Sequence, residues 1–225
     1  MSDLPRLIIG NKNYSTWSLR PWLLLHGFKV DFDEQLVSLN AKGLQERLRK
    51  FSKTARVPVL IDGATTIWDS LAICEYVNEN YLDGRGWPRK THDRALARSI
   101  VAEMHSGFSA LRNELPMNIR ASRIVEMSDD TKEDIKRVDE IFNQYVRADV
   151  NGNPHLFGEF GIADCFFAPV VMRFKTYAPE LSVVAQGYCD ALQAHSSFKK
   201  WIGDALLENE IIEQDEAGRE VIQCL

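Results

Sequence analysis

The chain has 225 residues, of which 45% are hydrophobic and 26% charged, with a formal net charge of −5. No run of residues approaches the ~20 apolar positions that a membrane span requires, and the net negative charge argues against a nucleic-acid-binding surface. The first residues lack a basic leader followed by an apolar core, so we expect a cytoplasmic protein without membrane or nucleic-acid partners. The length allows one large domain or two ordinary ones.

Cysteine and histidine spacing gives no indication of a metal site. The four cysteines, Cys74, Cys165, Cys189 and Cys224, form no CxxC pair, and the five histidines form no HExxH motif. We therefore expect reduced thiols that fill the core and a protein that binds no metal.

Short strand and helix patterns alternate in the first third of the sequence. A glycine expected just past a helix end, Gly27, closes the first helical pattern, and an Asp-Gly turn at residues 62–63 separates two β-rich runs. The predicted strands lie at residues 7–10, 30–36, 57–61 and 66–68, and the predicted helices at residues 17–26, 44–51 and 70–81. The order β-α-β-α-β-β-α is that of a thioredoxin-like domain.

A breaker-rich segment at residues 83–88 separates this part from a region of helical patterns. The predicted helices are at 96–115, where one long apolar stripe ends at Pro116, then at 135–145 after an acidic start at 128–130, and at 162–177, 183–194 and 198–207. We expect a domain at 1–83, a linker at 84–92 and an all-helical domain at 93–225. No structure is predicted for the tail after Glu208.

Three motifs carry a resemblance to a known family. Residues 13–20 have Ser15 just after the first strand, followed by Ser18 and Arg20 on the opening turn of a helix. Residues 56–60 resemble a loop that contains a cis-proline before the third strand, and residues 68–73 resemble an acidic-Ser pair before the third helix. In this order, the motifs resemble the cytosolic glutathione S-transferase superfamily, most closely a bacterial, serine-type, zeta-like member.

The resemblance implies a glutathione transferase fold, with an α/β thioredoxin-like N-terminal domain and an all-α C-terminal domain. It also implies glutathione as co-substrate, an electrophilic small molecule as second substrate for conjugation or isomerisation, and a homodimer. Two alternatives remain: a transferase-fold binding or regulatory protein without catalysis, and a glutathione-dependent thiol transferase. The thiol transferase would normally need Cys in place of Ser15.

Ser15 is the predicted catalytic residue, as a stabiliser of the glutathione thiolate. A thiol pKa of about 8.5 leaves only a few per cent thiolate at neutral pH. A serine hydroxyl donating to sulfur, together with the positive end of a helix dipole, can supply the ~1.4 kcal/mol that lowers this pKa by one unit. The alternatives are that Ser15 is only an N-cap, or that the neighbouring Tyr14 hydroxyl contacts the thiolate.

The remaining predicted glutathione contacts are Arg56, Val57, Pro58, Asp69 and Ser70. A cis peptide at Val57-Pro58 would turn the Val57 backbone towards the cysteinyl part of the ligand. Asp69 and Ser70 at a helix start suit the γ-glutamyl ammonium and carboxylate, although such a pair is more often only a cap. Arg56 is assigned to the glycine carboxylate, with a surface arginine as the alternative.

The predicted lining of the second-substrate pocket is Tyr14, Met104, Phe108 and Met117. For Met104, Phe108 and Met117, however, the stripe spacing indicates core packing first. His105 is left out of the catalytic set, while Asn118 and Arg120 are candidates to meet an anionic substrate. The helix at 162 departs from the family pattern, since Gly161 stands where a hydroxyl-bearing cap is common.

Overall fold

The computed structural model of this chain describes residues 4–220. Its first part is a four-stranded sheet in the order β2-β1-β3-β4, in which β1 and β2 are parallel and β3 is antiparallel to both neighbours. The strands are β1 (Arg6–Ile9), β2 (Asp33–Leu36), β3 (Val59–Asp62) and β4 (Thr65–Trp68), and the helices are α1 (Thr16–Gly27), α2 (Leu44–Arg49) and α3 (Ser70–Asn80). This is the predicted order of elements.

The alternation of side chains along β1 explains the layers around this sheet. Leu7 and Ile9 point to one face and pack in the large core with α1 and α3. Ile8 points to the other face, where it packs with Leu48 of α2 in a second, smaller core. The sheet therefore lies between helices and positions the first residues of α1 and α3 on one side.

The second part is mainly helical. Its helices are α4 (Thr91–Ser106), α5 (Ser109–Glu114), α6 (Asp129–Tyr145), α7 (Ile162–Tyr177), α8 (Val183–Ala194) and α9 (Ser196–Leu206). α7 is central, since every residue in it except Lys175 is buried, as its apolar sequence predicts. The start of α6 also follows the prediction, because Ser128 Oγ accepts from the Thr131 N–H as an N-cap.

The prediction of a single helix over residues 96–115 is wrong. Gly107 is extended and Phe108 is left-handed, with φ of 57°, so α4 and α5 are separate helices. Arg112 stabilises the break by donating to the Met104, His105 and Gly107 carbonyls. The apolar stripe continues across the break because Leu111 and Leu115 return to the same core.

The second part also contains short strands, which the prediction of an all-helical domain did not include. Four short strands form two two-stranded sheets: β5 (Arg123–Ile124) pairs with β8 (Arg219–Glu220), and β6 (Val146–Ala148) pairs with β7 (Pro154–Leu156). These strands have two or three residues, too few to give a periodic pattern.

α3 ends at Asn80 and α4 begins at Thr91, and the predicted domain limits at residues 83 and 93 stay predictions. Within residues 4–220, no helix combines the length and apolar character needed to cross a bilayer.

Candidate functional site

A cleft of about 490 Å³ lies where α1, the loop before β3 and the start of α3 converge. It contains all five of the predicted glutathione contacts. The lining residues are Trp17, Thr54, Arg56, Val57, Pro58, Trp68, Asp69 and Ser70. Although these residues come from three separated parts of the sequence, they form one surface.

One wall of the cleft is the loop that leads into β3. The Val57–Pro58 peptide bond is cis, as predicted. Arg56 is exposed at the rim, and it forms no ion pair with any carboxylate of the described residues. An exposed guanidinium beside a turned backbone is suited to an extended ligand with an anionic end.

The opposite wall is the N-terminus of α3. Asp69 caps this helix, with its Oδ1 accepting from the Leu71 N–H at 2.8 Å and the Ala72 N–H at 3.4 Å. Its backbone has φ of 75° and ψ of 131°, a conformation that residues with a side chain rarely adopt. Ser70 follows and is buried. The strained residue thus turns a carboxylate and a helix N-terminus to the same cleft.

Ser15 lies at the N-terminus of α1, two residues before the cleft-lining Trp17. Its Oγ accepts from the Ser18 N–H at 3.4 Å, and its hydroxyl donates to Ser18 Oγ at 2.7 Å. Ser18 Oγ also accepts from the Gly10 N–H at 3.1 Å. Ser15 is only 6% exposed and is not among the lining residues of the cleft. Its N-cap function is therefore seen directly, whereas the contact with a thiolate stays a prediction.

A buried arginine, Arg20, and a histidine, His105, form a second layer behind the cleft. Sequence analysis named both residues but did not predict that they meet there. Arg20 Nη1 lies 3.4 Å from Ser70 Oγ and 3.4 Å from His105 Nδ1, and His105 Nε2 lies 3.2 Å from Asp69 Oδ2. Arg20 forms no salt bridge within the described part of the chain, and burial lowers its pKa to about 9. No sequence spacing signals this contact, since His105 comes from the helical part.

Tyr14 is held by the C-terminal segment, defined here as residues 208–216. Its hydroxyl donates to Glu216 Oε1 at 2.6 Å and accepts from Arg120 Nη2 at 3.0 Å. Burial and the bond to Glu216 raise the pKa of Tyr14. Arg120 also donates to carbonyls of Glu208 and Glu210. Both side chains are therefore engaged within the protein and do not face the cleft.

The residues predicted to line a second-substrate pocket are in the hydrophobic core. None of them lines the cleft, and each is at most 7% exposed: Tyr14, Met104, Phe108 and Met117. Asn118, the other candidate for an anionic substrate, is also buried, and its amide donates to Glu216 Oε1. Met104, Phe108 and Met117 pack in the large core, which is what their spacing in the sequence indicates first.

No group of three or more metal-ligating side chains occurs among residues 4–220. The three cysteines in that range, Cys74, Cys165 and Cys189, are free and buried. Burial raises the pKa of each thiol, to about 12 for Cys189. Cys224 lies outside the described residues.

Comparisons with known proteins find similar sequences for the first part of the chain. Residues 14–80 match the family model described as glutathione S-transferase, N-terminal domain. The chain is 39% identical to a dichloromethane dehalogenase of Methylorubrum extorquens over 80 residues, which are 34% of this chain and 28% of that one. It is 32% identical to a probable maleylacetoacetate isomerase of Caenorhabditis elegans over 98 residues, 44% of this chain and 45% of that one. Both matches thus span less than half of the relative's length.

The fold as a whole resembles that of solved structures. A glutathione transferase homolog from Burkholderia, solved with bound glutathione, superposes with a TM-score of 0.69 over 90% of this chain and 98% of that one. The two sequences are 22% identical, so the likeness concerns the fold. The predicted fold, a thioredoxin-like domain followed by a mainly helical part, is confirmed.

Proposed function

We propose that this chain, which has the glutathione transferase fold and matches the glutathione S-transferase N-terminal domain at residues 14–80, binds glutathione and activates its thiol. The activated thiolate would be conjugated to an electrophilic small molecule or would catalyse its isomerisation. The cleft between cis-Pro58 and the start of α3 is the observation that carries the proposal.

The chemistry of the cleft walls suits the three parts of glutathione. The Ser70 hydroxyl and the α3 N-terminus favour the γ-glutamyl carboxylate, because a hydroxyl donor and the positive end of the helix dipole attract an anion. The Asp69 carboxylate suits the γ-glutamyl ammonium. The Val57 backbone suits the cysteinyl part, and Arg56 at the rim suits the glycine carboxylate.

Ser15 is our proposed thiolate stabiliser. Its hydroxyl donates to Ser18 Oγ, but serine hydroxyls rotate freely. If Ser18 donates to Ser15 instead, the Ser15 proton becomes available to a sulfur without movement of heavy atoms. The N-terminus of α1 adds its partial positive charge at the same point.

Two rival readings receive less support. Tyr14 would have to give up the hydrogen bond that its hydroxyl donates to Glu216 before it could donate to a thiolate. A thiol transferase needs a reactive cysteine, whereas the described cysteines are buried and have raised pKa values. A binding protein without catalysis remains the alternative that the following experiment separates.

Calorimetric titration with glutathione, combined with ultraviolet absorbance of the bound thiolate, tests the proposal. We expect the pKa of the glutathione thiol to fall from about 8.5 in free glutathione to about 7.5 or below when it is bound to wild type. Ser15→Ala should bind glutathione with similar affinity but lose this depression, and Tyr14→Phe, the matched control, should retain it.

If wild type does not bind at millimolar glutathione, the proposal fails. If wild type binds and the thiol pKa stays near its free value, the chain is a binding protein without thiol activation. If Tyr14→Phe loses the lowering of the thiol pKa to the same extent as Ser15→Ala, Ser15 is not the specific thiolate stabiliser and Tyr14 must be assigned to that role.

A further inference from the structure

His105 connects the helical part of the protein to the cleft. Its Nε2 lies 3.2 Å from Asp69 Oδ2, and its Nδ1 lies 3.4 Å from Arg20 Nη1. Because an arginine can only donate, Nδ1 must accept, and the single proton of a neutral imidazole must then be on Nε2. The two contacts therefore fix one tautomer, which donates to Asp69.

The contact with His105 completes the restraint of the Asp69 side chain. Oδ1 is already occupied by the Leu71 N–H at 2.8 Å. With Oδ2 facing His105, both oxygens are held in place, and the residue has little freedom to change rotamer. Each carboxylate oxygen has two acceptor sites, so Oδ2 can still accept from a ligand.

We propose that His105 is a positioning residue which, by holding Asp69 from the helical part, prepares that carboxylate for the ammonium group of a γ-glutamyl ligand. The proposal rests on the proposed binding of glutathione. Its physical basis is preorganisation, because a carboxylate already fixed in its binding orientation loses less conformational freedom when the ligand arrives.

The surroundings of His105 favour the neutral imidazole. Arg20 of α1 and Arg112 of α5 are the cations near it, Asp69 is the acid, and the rings of Trp17 and Phe166 pack against it. Burial, aided by the two arginines, lowers the pKa of His105 below its ordinary value, although Asp69 acts in the opposite direction.

Protonation of His105 would change the cleft in two ways. A proton on Nδ1 would face Arg20 Nη1 and remove the bond that fixes the ring. The imidazolium would also neutralise Asp69 and compete with the ligand's ammonium. We therefore expect glutathione affinity to fall as the pH drops through the pKa of His105.

The test compares two peptides on three variants by calorimetry. The peptides are glutathione and its analogue in which the γ-glutamyl amino group is replaced by hydrogen. His105→Phe keeps the ring but loses both nitrogens, whereas His105→Gln retains an N–H donor for Asp69 and cannot titrate. His92→Phe, at an exposed position of the same helix, is the control.

At neutral pH, His105→Phe should bind glutathione about tenfold more weakly, the effect of weakening one hydrogen bond to a charged group. Its affinity for the analogue should change less than about twofold, because that peptide has no ammonium for Asp69. His105→Gln should bind glutathione nearly as wild type does, but without the loss of affinity at acid pH. His92→Phe should match wild type throughout.

An equal loss for both peptides in His105→Phe would refute the positioning role and leave glutathione binding intact. A wild-type pH profile in His105→Gln would also refute it, and this second arm decides alone if the phenylalanine variant does not fold. If wild type binds neither peptide, the proposed function fails, and the role of His105 fails with it.

Discussion

Removal of the Asp164 carboxylate should destabilise the second part of the protein severely. Asp164 is fully buried in the first turn of α7. Its Oδ1 accepts from the Leu156 N–H and the Tyr188 hydroxyl, each at 3.0 Å, and its Oδ2 accepts from the Gly161 N–H at 2.9 Å. Asp164→Ala would leave three buried donors without an acceptor.

The expected loss follows from these three contacts. An unsatisfied buried donor costs about 1–3 kcal/mol. Part of this loss is offset, because the variant no longer has to bury a charged carboxylate. We therefore expect Asp164→Ala to lower the free energy of unfolding by about 3–4 kcal/mol at neutral pH. Tyr188→Phe removes one donor together with its bond and should cost about 1 kcal/mol.

Urea unfolding followed by circular dichroism, at one fixed protein concentration, measures the series. Asp129→Ala is the matched control, because Asp129 lies in the first turn of α6 but its side chain is 98% exposed. That variant should change the free energy of unfolding by less than about 0.5 kcal/mol. A cost for Asp164→Ala no larger than that of the control would refute the argument that the buried acceptor maintains the start of α7.

Two further predictions concern pH and assembly. Burial raises the pKa of Asp164 from 3.8 to about 6, so the free energy of unfolding is highest below pH 3.8 and falls as the pH rises through 6, where the folded protein must bury a charged carboxylate. The free energy of unfolding of wild type should fall by about 2 kcal/mol relative to Asp164→Asn between pH 4 and pH 7, and parallel curves in urea titrations would contradict the assignment. We also expect a homodimer, consistent with Trp68 being 53% exposed on the edge strand β4. Light scattering should give a mass twice the 25.7 kDa of one chain. A mass equal to that of one chain would refute the dimer.

The thioredoxin-like part could be predicted because its signals are local. Gly27 ends the pattern of α1, the Asp-Gly turn lies between β3 and β4, and Asp69 with Ser70 opens α3. The helix start at Ser128 was equally readable, since a serine before an acidic turn has a direct physical use there. In each case the residue that gives the signal lies within a few positions of the turn or helix end that it determines.

The break between α4 and α5 could not be predicted, because it depends on a tertiary arrangement. The apolar stripe is continuous through Gly107, and nothing in the sequence requires Phe108 to adopt a left-handed conformation. The break is stabilised by Arg112, whose guanidinium contacts three carbonyls that are exposed only once the helix has ended. Hydrophobic periodicity identifies the residues on the buried face, but it does not detect a turn that leaves those residues buried.

The choice between Ser15 and Tyr14 shows the same limit at the candidate site. In the sequence, two adjacent hydroxyls precede α1, and either could serve a thiolate. In the structure, Glu208 accepts from the Lys12 and Asn13 N–H groups, and Glu216 accepts from the Tyr14 hydroxyl. These acids come from the C-terminal segment, almost 200 residues away, where sequence analysis predicted nothing. The segment occupies Tyr14 and makes no hydrogen bond to Ser15 among the described residues, so the long-range contacts favour the serine where the local pattern could not.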